Sequence, residues 1–226
     1  MTAHLCEVIV KQSPPDVLRV YDAALRRAAA GHRVTLTLRD DRGDARSVDI
    51  AAWCRRFLPG DAGMLDRCTG PTLDVGCGPG RLAGELLGRG HPALGIDISA
   101  AAVRLARRRG VGALRRDVFE PVPGQGRWHH VLLADGNVGI GGAPRRLLRR
   151  CRDLLAADGL LYVELTAPGT RTWAGVADLH DGVAGAPLRW ASVAINDLPG
   201  IAADAAMRVV ETWTEAGRWF ASLARV

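Results

Sequence analysis

The stretch Leu73-Asp-Val-Gly-Cys-Gly-Pro-Gly80 constrains the fold more than any other. An apolar run ends on Asp74 and Val75, then breaks into Gly76, Gly78 and Gly80. The run predicts a buried strand over 71–75. The glycines predict a tight turn that lets backbone approach a ligand closely, because no Cβ stands in the way. Leu82, Ala83, Leu86 and Leu87 follow on one helical face, and Gly88 and Gly90 end it. Strand, glycine turn and helix together form a ligand site at the carboxyl edge of a parallel sheet. The spacing departs from the dinucleotide fingerprint, since Arg81 stands where the third glycine belongs. Asp74 would repel a pyrophosphate and attract a cation. The loop favours a ligand without phosphates.

Onward from Leu73, short apolar runs alternate with amphipathic stretches. That is the pattern of an α/β fold, a mostly parallel sheet with helices on both faces. Strands are expected over 93–97, 112–116, 128–134 and 160–165, with a helix over 100–109 capped by Ser99 and stopped by Gly110. Leu147, Leu148, Cys151, Leu154 and Leu155 mark a further helix, opened by Pro144 and followed by Asp158-Gly159. Runs 208–214 and 218–226 flank Glu215-Ala-Gly217 and close the sheet as an antiparallel hairpin, making seven strands. For 188–195 a strand and an extended lid both stay open. Residues 1–70 are less regular: a helix about Val17–Ala28, a hairpin about Asp40–Asp44, then Trp53 and Phe57. They read as a small N-terminal cap (helix, hairpin, helix) on a main domain over 71–226.

The length of 226 residues supports a sizeable core without disulfides. The five cysteines are scattered and form no C-x-x-C, and no H-E-x-x-H occurs, so no metal site is expected. No apolar run nears the roughly 20 residues of a membrane span, and Met1–Glu7 lacks the features of a secretory leader. The expectation is a soluble, cytoplasmic chain without a membrane partner, as a monomer or homodimer. Formal charge is +6, and Lys11 is the single lysine. That balance permits nucleic acid or an anionic substrate. Arg145, Arg146, Arg149, Arg150 and Arg152 crowd one helix; a solvated face is the simpler reading, an RNA-binding stripe its rival.

With these landmarks the chain resembles the class I S-adenosylmethionine-dependent methyltransferases. LDVGCGPG resembles their first motif, Gly95-Ile-Asp-Ile-Ser99 their second and Arg116-Asp-Val-Phe119 their third. The resemblance covers roughly Pro71 to Leu165 and implies S-adenosylmethionine as cofactor and S-adenosylhomocysteine as product. By it, Asp74, Gly76, Gly78 and Gly80 shape the glycine loop and Asp97 takes both ribose hydroxyls. Ile98 lies on the adenine face, Asp117 and Val118 hold the adenine edge, and Ala134 lies by the methionine part.

The reaction implied is methyl transfer to an O, N or C atom of a small organic acceptor, in a setting such as natural-product biosynthesis. Asp135 and Asn137 follow the fourth strand, where the family places substrate-facing residues, and His180 lies where it often builds a lid. These three are the candidate catalytic residues, each also readable as a turn or loop residue. Glu164 is a further base candidate, and Trp173, Trp190, Trp213 and Trp219 are candidates for an aromatic pocket. The segment is not the N/D-P-P-Y/F pattern of many amino-group nucleic-acid methyltransferases, so nucleic acid is disfavoured as partner. An RNA methyltransferase, a non-methylating S-adenosylmethionine-binding cyclase or regulatory protein, and a nicotinamide oxidoreductase are the alternatives.

Overall fold

The computed structural model describes residues 15–226; Met1–Glu7, on which the leader expectation rests, lies outside them. Five parallel strands form the heart of the molecule: β3 (Thr72–Val75), β4 (Ala93–Asp97), β5 (Gly112–Arg115), β6 (Trp128–Leu133) and β7 (Leu155–Leu165). With β10 (Met207–Glu215) and β11 (Arg218–Arg225) they make one seven-stranded sheet, in the order β10-β11-β7-β6-β3-β4-β5. β11 alone runs against the rest, because it is antiparallel to both of its neighbours.

Both faces of this sheet are covered, which is why β3 is buried at all four positions. Leu73, Val131, Leu133, Leu161 and Val163 meet Leu147, Leu148, Cys151 and Leu154 of α6 (Pro144–Leu154), together with Leu198 and Ile201 of α7 (Leu198–Asp204). On the other face Leu132, Tyr162 and Phe220 meet Leu82 and Leu86 of α4 (Arg81–Gly88) and Met64 and Leu65 of α3 (Asp61–Leu65). α5 (Ala100–Arg108) has Ser99 as its N-cap, accepting from the Ala102 amide at 2.9 Å.

β7 starts at Leu155, directly out of α6, so Asp158-Gly159 lies inside the strand. Trp128 pairs with Leu155 but His130 with Leu160, leaving residues 156–159 bulged. A Cβ at Gly159 would stand 2.7 Å from the Trp128 carbonyl oxygen, so the bulge admits only glycine there.

The cap departs from the division at residue 70. β1 (Thr35–Arg39) and β2 (Ala45–Asp49) form the expected hairpin, but β1 also pairs with β8 (Trp173–His180), and β8 with β9 (Gly185–Ser192). The result is a four-stranded antiparallel sheet, β2-β1-β8-β9, half of it drawn from after the fifth parallel strand. The physical reason is edge satisfaction: a lone two-stranded hairpin is marginal, and β8 supplies the missing ladder. α1 (Pro15–Ala29) lays Val20, Ala24, Leu25 and Ala28 against Leu36 and Ile50 of this layer and Ala101 and Ala102 of α5. α2 (Ile50–Trp53) follows β2, its first turn capped by Asp49. The remainder of the first 70 residues, α3 and Cys68, belongs to the core of the main sheet.

Candidate functional site

The glycine turn after β3 is held by backbone bonds to the next strand. The amides of Gly76 and Cys77 both donate to the Ile96 carbonyl, at 2.9 and 3.0 Å. The Gly78 amide donates to Oδ2 of Asp97 at 3.0 Å, and the Ser99 amide to Oδ1 at 2.8 Å. Asp97 thus ties the loop to the start of α5 while also lining a large cavity. Burial raises its pKa to about 6, although the amides of Ser99 and Gly78 pull it back down.

The three glycines separate by role. Gly78 has φ +52°, and a Cβ there would meet only the Tyr21 Oη, at 3.7 Å. A Cβ on Gly76 would strike the Asn137 amide nitrogen at 2.7 Å. Gly80, expected among the cofactor residues, faces α5: a Cβ there would be 2.9 Å from the Ala106 Cβ. It lets helix meet helix rather than backbone meet ligand.

Behind the loop lies an ion cluster. Arg81 is 4% exposed and pairs with Asp61 and Asp135. Arg218 of β11 pairs with Asp61 and Glu164, each at 2.8 Å, and with Asp135 at 3.3 Å. Asp74 sits beside Arg81 with its pKa raised to about 7, burial outweighing the guanidinium. Asp135, with φ +53°, is held by two guanidiniums, and burial raises its pKa above the ordinary carboxylate value although Arg81 and Arg218 pull it down. Glu164 accepts from Arg218 and from the Asp135 amide, and so is occupied too. Asn137 donates to the carbonyls of Val75 and Gly76 at 2.9 and 3.0 Å, clamping the glycine turn. His180, at the far end of β8 opposite Thr37 and Gly185, is not among the cavity-lining residues.

The cavity measures about 640 Å³ and lies between the two sheets. Its floor carries Gly76, Asp97, Ile98, Asp117 and Val118, the predicted cofactor residues, at successive strand ends. Asp117 also accepts from the Phe119 amide at 2.9 Å. Its roof is mostly apolar, with Leu36, Leu38, Val48, Leu179, Leu188 and Trp190, joined by Arg46 and Arg189. A smaller recess joins Asp74, Gly78 and Ala134 to Tyr21 and Trp53. Of the four candidate tryptophans Trp190 alone lines the cavity. Trp213 stacks on Phe220 at 5.3 Å, and Trp173 donates to Asp41.

Tyr21 was legible only as a core residue of a helix, yet it faces the glycine loop; burial and the Asp97 carboxylate keep its phenol protonated. The sequence marks Arg81 only as the residue in place of a third dinucleotide glycine and Arg218 not at all, since their carboxylates lie far off along the chain. The α6 arginines are largely spent within the fold. Arg145 pairs with Asp204, Arg149 donates to the Asp204 carbonyl, and Arg150 to those of Val118 and Glu120. Arg146 lies over the Phe119 ring at 4.2 Å and Arg152 reaches the Ala205 carbonyl.

The donor set fits an adenosyl sulfonium ligand. The buried Asp97 carboxylate lines the cavity floor, a Cβ-free cradle lies open at Gly78, and carboxylates outnumber guanidiniums around the inner recess. Residues 72–159 match the sequence model of the family described as "Methyltransferase domain". A SAM-dependent methyltransferase from Bacteroides fragilis, solved with S-adenosyl-L-homocysteine, has a similar fold. It superposes with a TM-score of 0.77 over 94% of this chain and 97% of that one, at 22% identity. The 1,6-didemethyltoxoflavin-N1-methyltransferase of Burkholderia thailandensis gives 0.55 over 91% and 79%, at 18% identity. A 67-residue stretch is 38% identical to a tabtoxin biosynthesis enzyme of Pseudomonas amygdali pv. tabaci; it spans 30% of this chain and 27% of that enzyme. Among the described residues no helix is long and apolar enough to cross a membrane.

Proposed function

We propose that the chain is a class I S-adenosylmethionine-dependent methyltransferase and that it methylates a small organic acceptor held beneath the cap sheet, a reading supported by the methyltransferase-domain match and the shared fold. The observation that carries this is the cavity itself. At about 640 Å³ it lies within the roughly 300–1,000 Å³ of small-molecule sites, with predicted cofactor residues on its floor and apolar side chains on its roof.

When bound, S-adenosylmethionine supplies a sulfonium-activated methyl carbon, which the acceptor atom takes in line while the carbon–sulfur electron pair stays on sulfur. Asp97 would hold the ribose, Asp117 and Val118 the adenine edge, and Ile98 its face. Asp74, Gly76, Gly78 and Ala134 would surround the methionine part. Asp135 and Asn137 act on the chain itself, one through Arg81 and Arg218, the other through the glycine turn. The chain contributes by positioning, which alone supplies a large share of a displacement's barrier lowering. The named small-molecule activities of the toxoflavin-type and tabtoxin relatives support natural-product tailoring as the setting.

The test is a calorimetric titration of the purified chain with S-adenosylmethionine, S-adenosylhomocysteine and NADH, followed by acceptor screening for S-adenosylhomocysteine release. Micromolar binding of the adenosyl ligands without NADH, and turnover with a small acceptor, is the expected result. Absence of adenosyl binding to folded chain would overturn it. Binding without turnover on any acceptor would point to the cyclase or regulatory alternative.

A further inference from the structure

The roof of the cavity is one face of the cap sheet, and the register shows what that face carries. Leu36 stands opposite Val48, Leu38 opposite both Arg46 and Leu179, Ala177 opposite Leu188, and Gly175 opposite Trp190. Residues directly opposite share a face. On this face Arg46 is a cation among apolar side chains, and it lines the cavity together with Arg189 of β9 and Arg116 after β5. A Cβ on Gly136 would be 3.7 Å from its Nη1, which places the guanidinium over the turn after β6, beside Asp135.

Arg46 makes no ion pair and no side-chain hydrogen bond among the described residues, as is also true of Arg116 and Arg189, whereas Arg81 and Arg218 behind the glycine loop are both paired. Asp135, one residue along from Gly136, is turned onto Arg81 and Arg218. Asp49, on the same strand as Arg46, caps α2. Every carboxylate lining the cavity belongs to the floor: Asp97, Asp117 and Asp135. Nothing on the roof would neutralise an ammonium, while three guanidiniums without a carboxylate partner among the described residues line the cavity, Arg46 being the one on the sheet face shared with Leu38 and Leu179.

We propose that Arg46 selects an acceptor bearing an anionic group on an apolar body, the anion held at the mouth of the cavity and the body lying along Leu38, Leu179 and Leu188. This rests on the methyl-transfer reading of the same cavity. A guanidinium on an apolar wall is matched by a carboxylate or a phosphate ester, and the shared chemistry is the anion.

The test uses 8-anilinonaphthalene-1-sulfonate, an anionic apolar dye, and N-phenyl-1-naphthylamine, its uncharged counterpart, on the full chain with S-adenosylhomocysteine. Arg46→Gln is expected to weaken the anionic dye about tenfold, with the neutral dye and S-adenosylhomocysteine unaffected. Far-UV circular dichroism should be unchanged, because Arg46 is exposed. Competition with 1-naphthoate and 1-naphthyl phosphate, against 1-naphthamide, then tells a carboxylate site from a phosphate site. An anionic dye held equally by both chains overturns the proposal, as does loss of S-adenosylhomocysteine affinity in the variant, which would assign Arg46 to the donor. Wild-type chain that binds the anionic dye through Arg46 but no adenosyl ligand would remove the methyl-transfer reading and leave the anion site standing.

Discussion

A Cβ built on Gly78 meets only the Tyr21 hydroxyl, whereas one on Gly80 stands 2.9 Å from the Ala106 Cβ. Two glycines of one motif therefore answer to different forces. Gly78→Val should abolish S-adenosylhomocysteine binding while leaving the circular dichroism spectrum near wild type. Gly80→Ala should lower stability by roughly 2–4 kcal/mol through backbone strain and crowding, seen in urea denaturation, and leave the affinity of folded chain almost unchanged. If both variants lost affinity alone, or both lost stability alone, this division of labour would fail. Asp97 is argued in the same way. Its oxygens already accept the Gly78 and Ser99 amides, so its charge is aimed rather than mobile. Asp97→Asn should weaken S-adenosylhomocysteine by roughly 1.5–3 kcal/mol in calorimetry; an unchanged affinity would take Asp97 off the ribose. These residues were legible because each ends a strand next to its own turn. Asp135 was legible only as a position. Its partners Arg81 and Arg218 come from α4 and β11, and no local pattern reports a contact between them.

Elements that satisfy themselves locally could be read from the chain, and elements that need a distant edge could not. Strands β3 to β6 carry their apolar runs and turns within a few residues, so their bounds match the expectation closely. β8 lacks such a signal: its burial alternates only weakly, because it is placed by pairing with β1, more than a hundred residues earlier. That is why the sequence leaves 188–195 open between a strand and an extended lid, and the cap reads as an N-terminal piece. The arginines of α6 present the converse problem, a strong local pattern with a non-local use. Arg145, Arg149, Arg150 and Arg152 hold α7 and the loop after β5 rather than lying free as a stripe. A nucleic-acid face built on six or more phosphate contacts would lose affinity about 10³-fold or more between 50 and 200 mM salt. Here the expected outcome is weak, non-saturating retention of bulk transfer RNA at 50 mM NaCl in filter binding. Tight binding that collapses with salt would restore α6 as an RNA surface.

The whole molecule is cationic, with a formal charge of +6, yet the inner end of its cavity is acidic. Asp61, Asp74, Asp97, Asp135 and Glu164 gather there with Arg81 and Arg218. Burial raises Asp74 to about 7 and Asp97 to about 6, against an ordinary value of 3.8. Across that window the folded chain binds more protons than the unfolded one, so these two groups make the unliganded chain less stable as pH rises from 3.8 towards 7. A bound cation changes the balance, because it favours the ionised carboxylates that burial disfavours. On the proposed placement of the cofactor, the cost of ionising these buried carboxylates at neutral pH would be relieved by a sulfonium and not by a neutral thioether. S-adenosylmethionine should bind about tenfold more weakly at pH 6 than at pH 8 if ionised Asp74 is required, one unit below its pKa. S-adenosylhomocysteine, lacking the sulfonium, should fall off less. Calorimetric dissociation constants for both ligands at pH 6, 7 and 8 measure the ratio directly. A ratio that stays flat across this range would mean that Asp74 and Asp97 do not sense the charge on sulfur, and that the acidic recess serves the fold alone.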